Sequence, residues 1–242
     1  MKPHALLALF LVVPMLAVSP RIAAAQSDSH AGVAVKVSTL GVGLDVAVPV
    51  GERVNVRGGF NAFGFSHDFD QDGILLNAKL KLRSVVAHLD WFPFGGGFHI
   101  SPGVMLYNGN RLDAIATVPG GEDFSLGDED LISNPANPVT GTANLTFRKA
   151  APSLLMGWGN IVPRGDRRWS IPVEFGVVFS GAPTMDLNLA GSACTRNGAN
   201  CRNIATDPTL QAEVAQEEAQ MNDDISVLKL LPVVSIGFSF KF

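Results

Sequence analysis

Charged residues at every second position are the first chemistry this sequence offers. Lys79, Lys81 and Arg83 alternate with apolar neighbours, as do His88 and Asp90. Asp45, Arg57 and Glu174 sit in similar alternating stretches. On a β-strand this spacing places the side chains on one face. If that face lines a closed sheet, Arg57, Lys79, Lys81, Arg83, Asp90 and Glu174 converge as lumen charges. They would form either a network of ion pairs that plugs the interior or a narrow charged path for a small solute. Charges in such a place must be paired or hydrated, because a lone desolvated charge is costly.

Other candidate sites are thinner. Asp68, Asp70, Asp72 and Gly73 begin a calcium-loop pattern, but its twelfth position is Lys79 where a bidentate glutamate is needed. A solvated acidic turn is expected there, and no metal. His88 and Asp90 could serve a buried serine, yet no G-x-S-x-G elbow, H-E-x-x-H pair or phosphate-binding loop is present. The expectation is therefore no catalytic residue and no cofactor, with a lipid-modifying enzyme as a minor alternative. Cys194 and Cys201 are the only two cysteines. In an exported chain so close a pair reads as a disulfide, and without a nearby histidine it makes a poor metal site.

Export is written at the start. Lys2, the apolar run from Ala5 to Val13 and the small residues Ala23, Ala24 and Ala25 predict a signal peptide over 1–25, cleaved before Gln26. Residues 26–242 would then be one barrel. Loss of Lys2 and Arg21 leaves 16 basic residues against 22 acidic ones, and no basic run suggests nucleic-acid binding. Hydrophobic residues are 47% and charged ones only 17%. That is apolar for a domain wholly surrounded by water, yet no later segment has the roughly 18 consecutive apolar residues of a membrane helix.

The elements that must hold the charges are strands. Leu228, Leu230, Val234, Ile236, Phe238, Phe240 and Phe242 share one face of the last segment, and Lys229, Ser235, Gly237, Ser239 and Lys241 share the other. Phe238, Phe240 and Phe242, ending on the final residue, look like the assembly signal read by the outer-membrane barrel assembly machinery. Trp169, Ile171, Val173, Phe175, Val177 and Phe179 alternate in the same way. The pattern predicts an all-β, transmembrane antiparallel β-barrel with apolar residues outward and polar ones inward, and outer-membrane lipid as its surroundings. Seven strands read directly, at about 33–48, 53–66, 74–92, 98–117, 141–159, 168–189 and 226–242. Short periplasmic turns fall near 49–52, 93–97 and 160–167; longer extracellular loops cover 67–73, 118–140 and 190–225. An even strand count calls for eight, so a change of phase at Ser38-Thr39 is either a bulge or a break hiding a short first strand. A second change of phase after Arg83 reads as a bulge. Trp91, Phe92, Phe94, Phe98 and Trp169 would form an aromatic girdle beside the short turns. Asp207 and Pro208 predict the start of a short acidic helix over about 210–221.

These residues resemble a known family. The stretch 144–181 (NLTFRKAAPSLLMGWGNIVPRGDRRWSIPVEFGVVFSG), the turn DWFPFGGG at 90–97, Tyr107-Asn108-Gly109-Asn110 and the ending LPVVSIGFSFKF are similar to small outer-membrane barrels of the CarO type, and more loosely to OmpW-like and OmpA-like barrels. The resemblance implies eight strands in a bacterial outer membrane. Barrels of that type are associated with uptake of small basic amino acids and with carbapenem susceptibility; the cysteine-bearing loop has no counterpart in that pattern, so the cargo is not carried over. Two functions are expected to compete: a narrow channel for small solutes, and a non-conducting structural or partner-binding surface barrel.

Overall fold

A computed structural model describes residues 31–71 and 73–242, so the expected signal segment lies outside the described residues. Strands β1 (Gly32–Ser38), β2 (Gly41–Gly51), β3 (Val54–Gln71), β4 (Ile74–Trp91), β5 (Phe98–Asn108) and β6 (Arg111–Val118) follow one another. They are succeeded by β7 (Asp123–Leu126), β8 (Glu129–Ser133), β9 (Val139–Thr146), β10 (Ala151–Trp158), β11 (Trp169–Ser170), β12 (Val173–Val178), β13 (Thr184–Ala190), β14 (Ser192–Thr195) and β15 (Arg202–Asn203). Helix α1 (Pro208–Ile225) and β16 (Leu231–Lys241) complete the chain. Eight strands close an antiparallel barrel in the order β1, β2, β3, β4, β5, β10, β12 and β16, which pairs back to β1.

Alternation makes the wall. Along β2, Val42, Leu44, Val46 and Val48 point outward and stay exposed, while Gly43, Asp45 and Ala47 are buried inside. The change of phase at Ser38-Thr39 proves to be a chain reversal, so the missing eighth strand is β1. Ser38 Oγ accepts from Leu40 N at 3.1 Å and donates to Gly41 O at 3.0 Å. Gly41 has φ +104°, and a Cβ there would meet the Ala62 carbonyl; glycine is the residue that fits.

The expected bulge after Arg83 is corrected. β3 and β4 pair without interruption from Val54 opposite Trp91 to Phe69 opposite Leu76, and β4 keeps its parity throughout. A register shift does occur nearby, but in the β4–β5 ladder, where Val85 faces Tyr107 and Val86 faces Met105. Three other expected strands are each divided at the barrel rim: 98–117 at Gly109-Asn110, 141–159 at 147–150 and 168–189 at 179–183. At the first break Asn110 Oδ1 accepts from Arg83 N at 2.9 Å, and Gly109 N donates to Arg83 O at 2.8 Å, so β4's backbone stays satisfied across the gap.

Beyond the rim the wall continues on one side only. The distal half of β4 pairs with β6, β6 with β9 and β9 with β13. With β3 these strands form a five-stranded half-cup, whereas the β1–β2 hairpin stops at Thr39-Leu40. The outer edge of β13 is capped by α1: Asn222 Oδ1 accepts from Met185 N at 2.9 Å and Glu218 Oε2 from Leu187 N at 2.8 Å. Such cover blunts an otherwise open strand edge. Asp207 caps α1 through Thr209 N and Leu210 N, with Pro208 in the first turn. A small sheet of β7, β8, β14 and β15, closed by the Cys194–Cys201 disulfide, packs with α1 around Leu126, Leu131, Ala193, Ile204, Leu210 and Val214.

Candidate functional site: the lumen and the half-cup

The lumen is built around one buried arginine. Arg57 is 2% exposed, and glycines make room for its neighbours: Gly59 for Asp45, Gly43 for Asn61 and Lys36, Gly237 for Lys36. Arg57 Nη2 donates to Glu174 Oε1 at 2.6 Å and Asp90 Oδ1 at 2.9 Å. Nη1 reaches Glu174 Oε2 at 2.8 Å and Asp45 Oδ2 at 3.1 Å. The planar guanidinium suits this fork geometry. Lys36 Nζ adds a second cation to Asp45 at 2.8 Å. Ser101 Oγ donates to Asp90 Oδ1 at 2.6 Å. His99 places Nε2 3.1 Å from Glu174 Oε1 and Nδ1 3.2 Å from Gly97 O. Two oxygen acceptors at the two ring nitrogens are satisfied by an imidazolium, which donates from both.

Apolar layers close this charged layer on both sides. Toward the long loops lie Leu40, Val86, Met105, Leu155, Val178 and Val233. Toward the short turns lie Ala34, Ala47, Ile161 and Val162, beside Phe92. The cavity bounded by Lys36, Asn61, His88 and Ser153 holds about 10 Å³, and none opens beside Arg57 and His99. One water needs roughly 10–15 Å³, so no solute fits. His88 does approach a serine, with Nε2 3.2 Å from Ser153 Oγ. Asp90, however, is held by Arg57 and Ser101, so the pair lacks an orienting carboxylate, and no substrate can reach it.

The structure therefore brings Arg57, Asp90 and Glu174 together in the lumen. Lys79, Lys81 and Arg83 are not there. They share parity with Val85, Leu89 and Trp91, the outward face of β4, and lie beyond the barrel rim. Asp45, which the alternation had already marked, joins Lys36 and His99 in completing the charged layer; only alternation with outward valines or phenylalanine could have flagged the last two. Phe92 is also corrected: it is 1% exposed, turned inward against His99 with ring centroids 5.3 Å apart. The outer girdle instead includes Trp158, 5.3 Å from Phe98, together with Trp91, Phe94 and Trp169. Asp70 Oδ1 accepts from Gly73 N at 3.1 Å, and Asp68 from Asn77, so these carboxylates hold the tip of the β3–β4 hairpin.

Above the rim the polarity of the wall is reversed. Phe63, Phe65 and Phe69 of β3 pair with Leu82, Leu80 and Leu76 of β4 on the face that continues the lumen. Leu112, Leu145 and Met185 extend that face across β6, β9 and β13. The opposite face carries Ser66, Lys81, Asp113, Asn144 and Asp186. The cup is thus apolar within and mainly polar without, Leu75 and Ile115 being the exposed exceptions. Part of its inner face is open, with Phe63 47% and Phe65 57% exposed.

No family model matches this chain, and no curated protein matches it. Solved structures similar to this chain include two from one organism. CarO of Acinetobacter baumannii is 23% identical, with 87% of this chain and 97% of that chain covered and a TM-score of 0.55. CarO2 of the same organism is 20% identical, with 89% and 100% covered and a TM-score of 0.56. No helix among the described residues is long and apolar enough to cross a membrane, and the apolar belt lies on strands. In fold, this chain is a membrane-embedded, closed eight-stranded β-barrel of the kind seen in the CarO outer-membrane proteins.

Proposed function

We propose that the protein is a non-conducting outer-membrane barrel that acts through the half-cup it holds at the cell surface. The observation that carries this reading is the sealed lumen. Arg57 is locked among Asp45, Asp90 and Glu174, with apolar layers on both sides and a residual cavity of about 10 Å³. Removing any one of these charges would strand its partners, so the network behaves as a strut. The short turns face the periplasm and the half-cup faces outward, the asymmetry of outer-membrane barrels. No catalytic chemistry is assigned, since His88 and Ser153 are out of a substrate's reach. The half-open apolar face of the cup, with Phe63, Phe65 and Leu112, is where a partner or apolar guest would rest.

Planar-bilayer recording of the refolded protein tests this. The expected trace is silent at physiological salt. A steady unitary conductance that vanishes on Asp90→Asn or Glu174→Gln would replace the reading with a narrow charged channel. In that case phenotypes should not map to residues 118–140 or 190–225, where the surface reading places them.

A further inference from the structure

We propose that the outward face of the distal β4–β6 wall is a binding surface for the phosphate groups of an outer-leaflet lipid. The inference rests on the outer-membrane reading above and adds a partner to it. Arg83, Lys81 and Lys79 follow Trp91, Leu89 and Val85 along one uninterrupted face of β4. The cations therefore begin where the lipid-facing belt ends, at the depth of the headgroups. Arg111 stands directly opposite Lys81, and Asp113 opposite Lys79.

Asp68, held by Asn77, shares this face one register step from Lys79, but the carboxylate that touches the cations is Asp113. It lies 3.4 Å from Lys81 Nζ and 3.2 Å from Arg111 Nε. Lys79 and Arg83 form no ion pair among the described residues, and both are exposed. Four cations against Asp113 and Asp68 leave an excess of positive charge, and like charges directly across a ladder, as with Lys81 and Arg111, destabilise it. An anion seated between them removes that repulsion. Lys149 and Lys229, both exposed, lie near the same height, their carbonyls accepting from Asn108 N at the end of β5 at 2.7 Å and from Gly181 N just past β12 at 3.1 Å. Apart from Asp68, Asp70, Asp113 and Asp186 on the half-cup wall, acidic residues gather in 122–130 and 207–224. The charge order along the molecule is apolar belt, basic collar, acidic crown. An anionic membrane surface meets the collar and excludes the crown. Arginine forks match phosphate oxygens and lysines add point charge.

The partner chemistry is an acyl lipid bearing phosphomonoesters, because two charges per headgroup neutralise this patch better than one diester. The test reconstitutes the full barrel into nanodiscs of phosphatidylcholine doped with bis-phosphorylated lipid A, and, separately, with phosphatidylglycerol. Bound lipid is counted by native mass spectrometry after detergent exchange. Wild type should retain lipid A over phosphatidylglycerol, and less of it in 0.5 M NaCl. The variant Lys79→Gln, Lys81→Gln, Arg83→Gln, Arg111→Gln should lose it by roughly six-hundredfold, given a factor of about five per surface cation. Its barrel should still migrate as folded on an unheated gel, since none of the four touches the lumen. Asp113→Asn should bind at least as well as wild type. Equal retention by the quadruple variant and wild type would overturn the collar and leave the barrel reading standing. Preference for phosphatidylglycerol would assign the patch to generic anionic lipid and overturn the phosphomonoester claim. Failure of wild type to insert into any disc would remove both readings.

Discussion

Below the rim, β4 sends Val85, Leu89 and Trp91 outward and Ser84, His88 and Asp90 inward. Above it, the outward parity carries Lys79, Lys81 and Arg83, and the inward parity carries Leu76, Leu80 and Leu82. The backbone does not change; its surroundings do. Where hydrocarbon lies outside, apolar side chains belong outside and the interior is left for charges that pair with each other. Where water lies outside, the ordinary rule of soluble sheets returns, and the concave face becomes apolar. β6, β9 and β13 follow the same reversal as the upper continuations of β5, β10 and β12. The barrel and the half-cup are thus two solvent environments written on one set of strands.

This comparison can be broken most forcefully at Arg57. Arg57→Met leaves Asp45, Asp90 and Glu174 buried without their shared cation and should cost about 3–5 kcal/mol. Lys81→Met, on the outer face of the half-cup, should cost under about 1 kcal/mol. Urea unfolding in lipid vesicles compares the two, and equal losses would erase the distinction between a dry charged core and a wet charged face. Next comes the belt. Val46→Arg puts a charge near the middle of the lipid-facing wall and should cost about 2–4 kcal/mol. Ser66→Arg, outward on the distal β3 and opposite Lys79, should cost under about 1 kcal/mol in the same assay. If Ser66→Arg were the more damaging, the distal wall would have to lie in lipid.

The smaller effects concern the crown. Replacing Cys194 and Cys201 by serine releases a short covalent loop and should lower the stability of the small sheet by about 2.5 kcal/mol on the chain-entropy account. Limited proteolysis should cut within 190–207 while the barrel keeps its folded gel mobility; joint loss of both would mean the two regions unfold as one. Asn222→Ala removes the donor and acceptor that hold α1 on the backbone of Met185. A loss of about 1–3 kcal/mol is expected, because a buried-edge N–H loses its partner. Hydrogen exchange at Met185 and Leu187 should speed up, while exchange at Val46 and Phe238 stays unchanged.

Much of this was legible in residue order. The alternation in β2, β12 and β16 announced strands, a lipid-facing belt and the terminal phenylalanines, and Asp207-Pro208 announced α1. The error at Lys79, Lys81 and Arg83 came from holding the rule of apolar outside and polar inside beyond the height at which it applies. The correct signal was present: Lys79, Lys81, Arg83, Val85, Leu89 and Trp91 are all odd-numbered, so an unbroken strand must put them on one face. Nothing local, however, says where along a strand the bilayer stops. Nor could spacing show that Glu174 would meet Arg57 and His99, since their sequence separations are 117 and 75.

The order of residues alone determined that this chain forms strands, how each strand divides into two faces, and that one helix follows Asp207, because propensity, alternation and capping are read within a few neighbours. Closure of the barrel decided the rest. Bringing β16 back to β1 turned one face into an enclosed space with room for little more than one water, and there Lys36, Asp45, Arg57, Asp90, His99 and Glu174 paired chiefly with each other. The height of the rim then decided which face of the same strands meets lipid and which meets solvent, a boundary set by packing across distant segments.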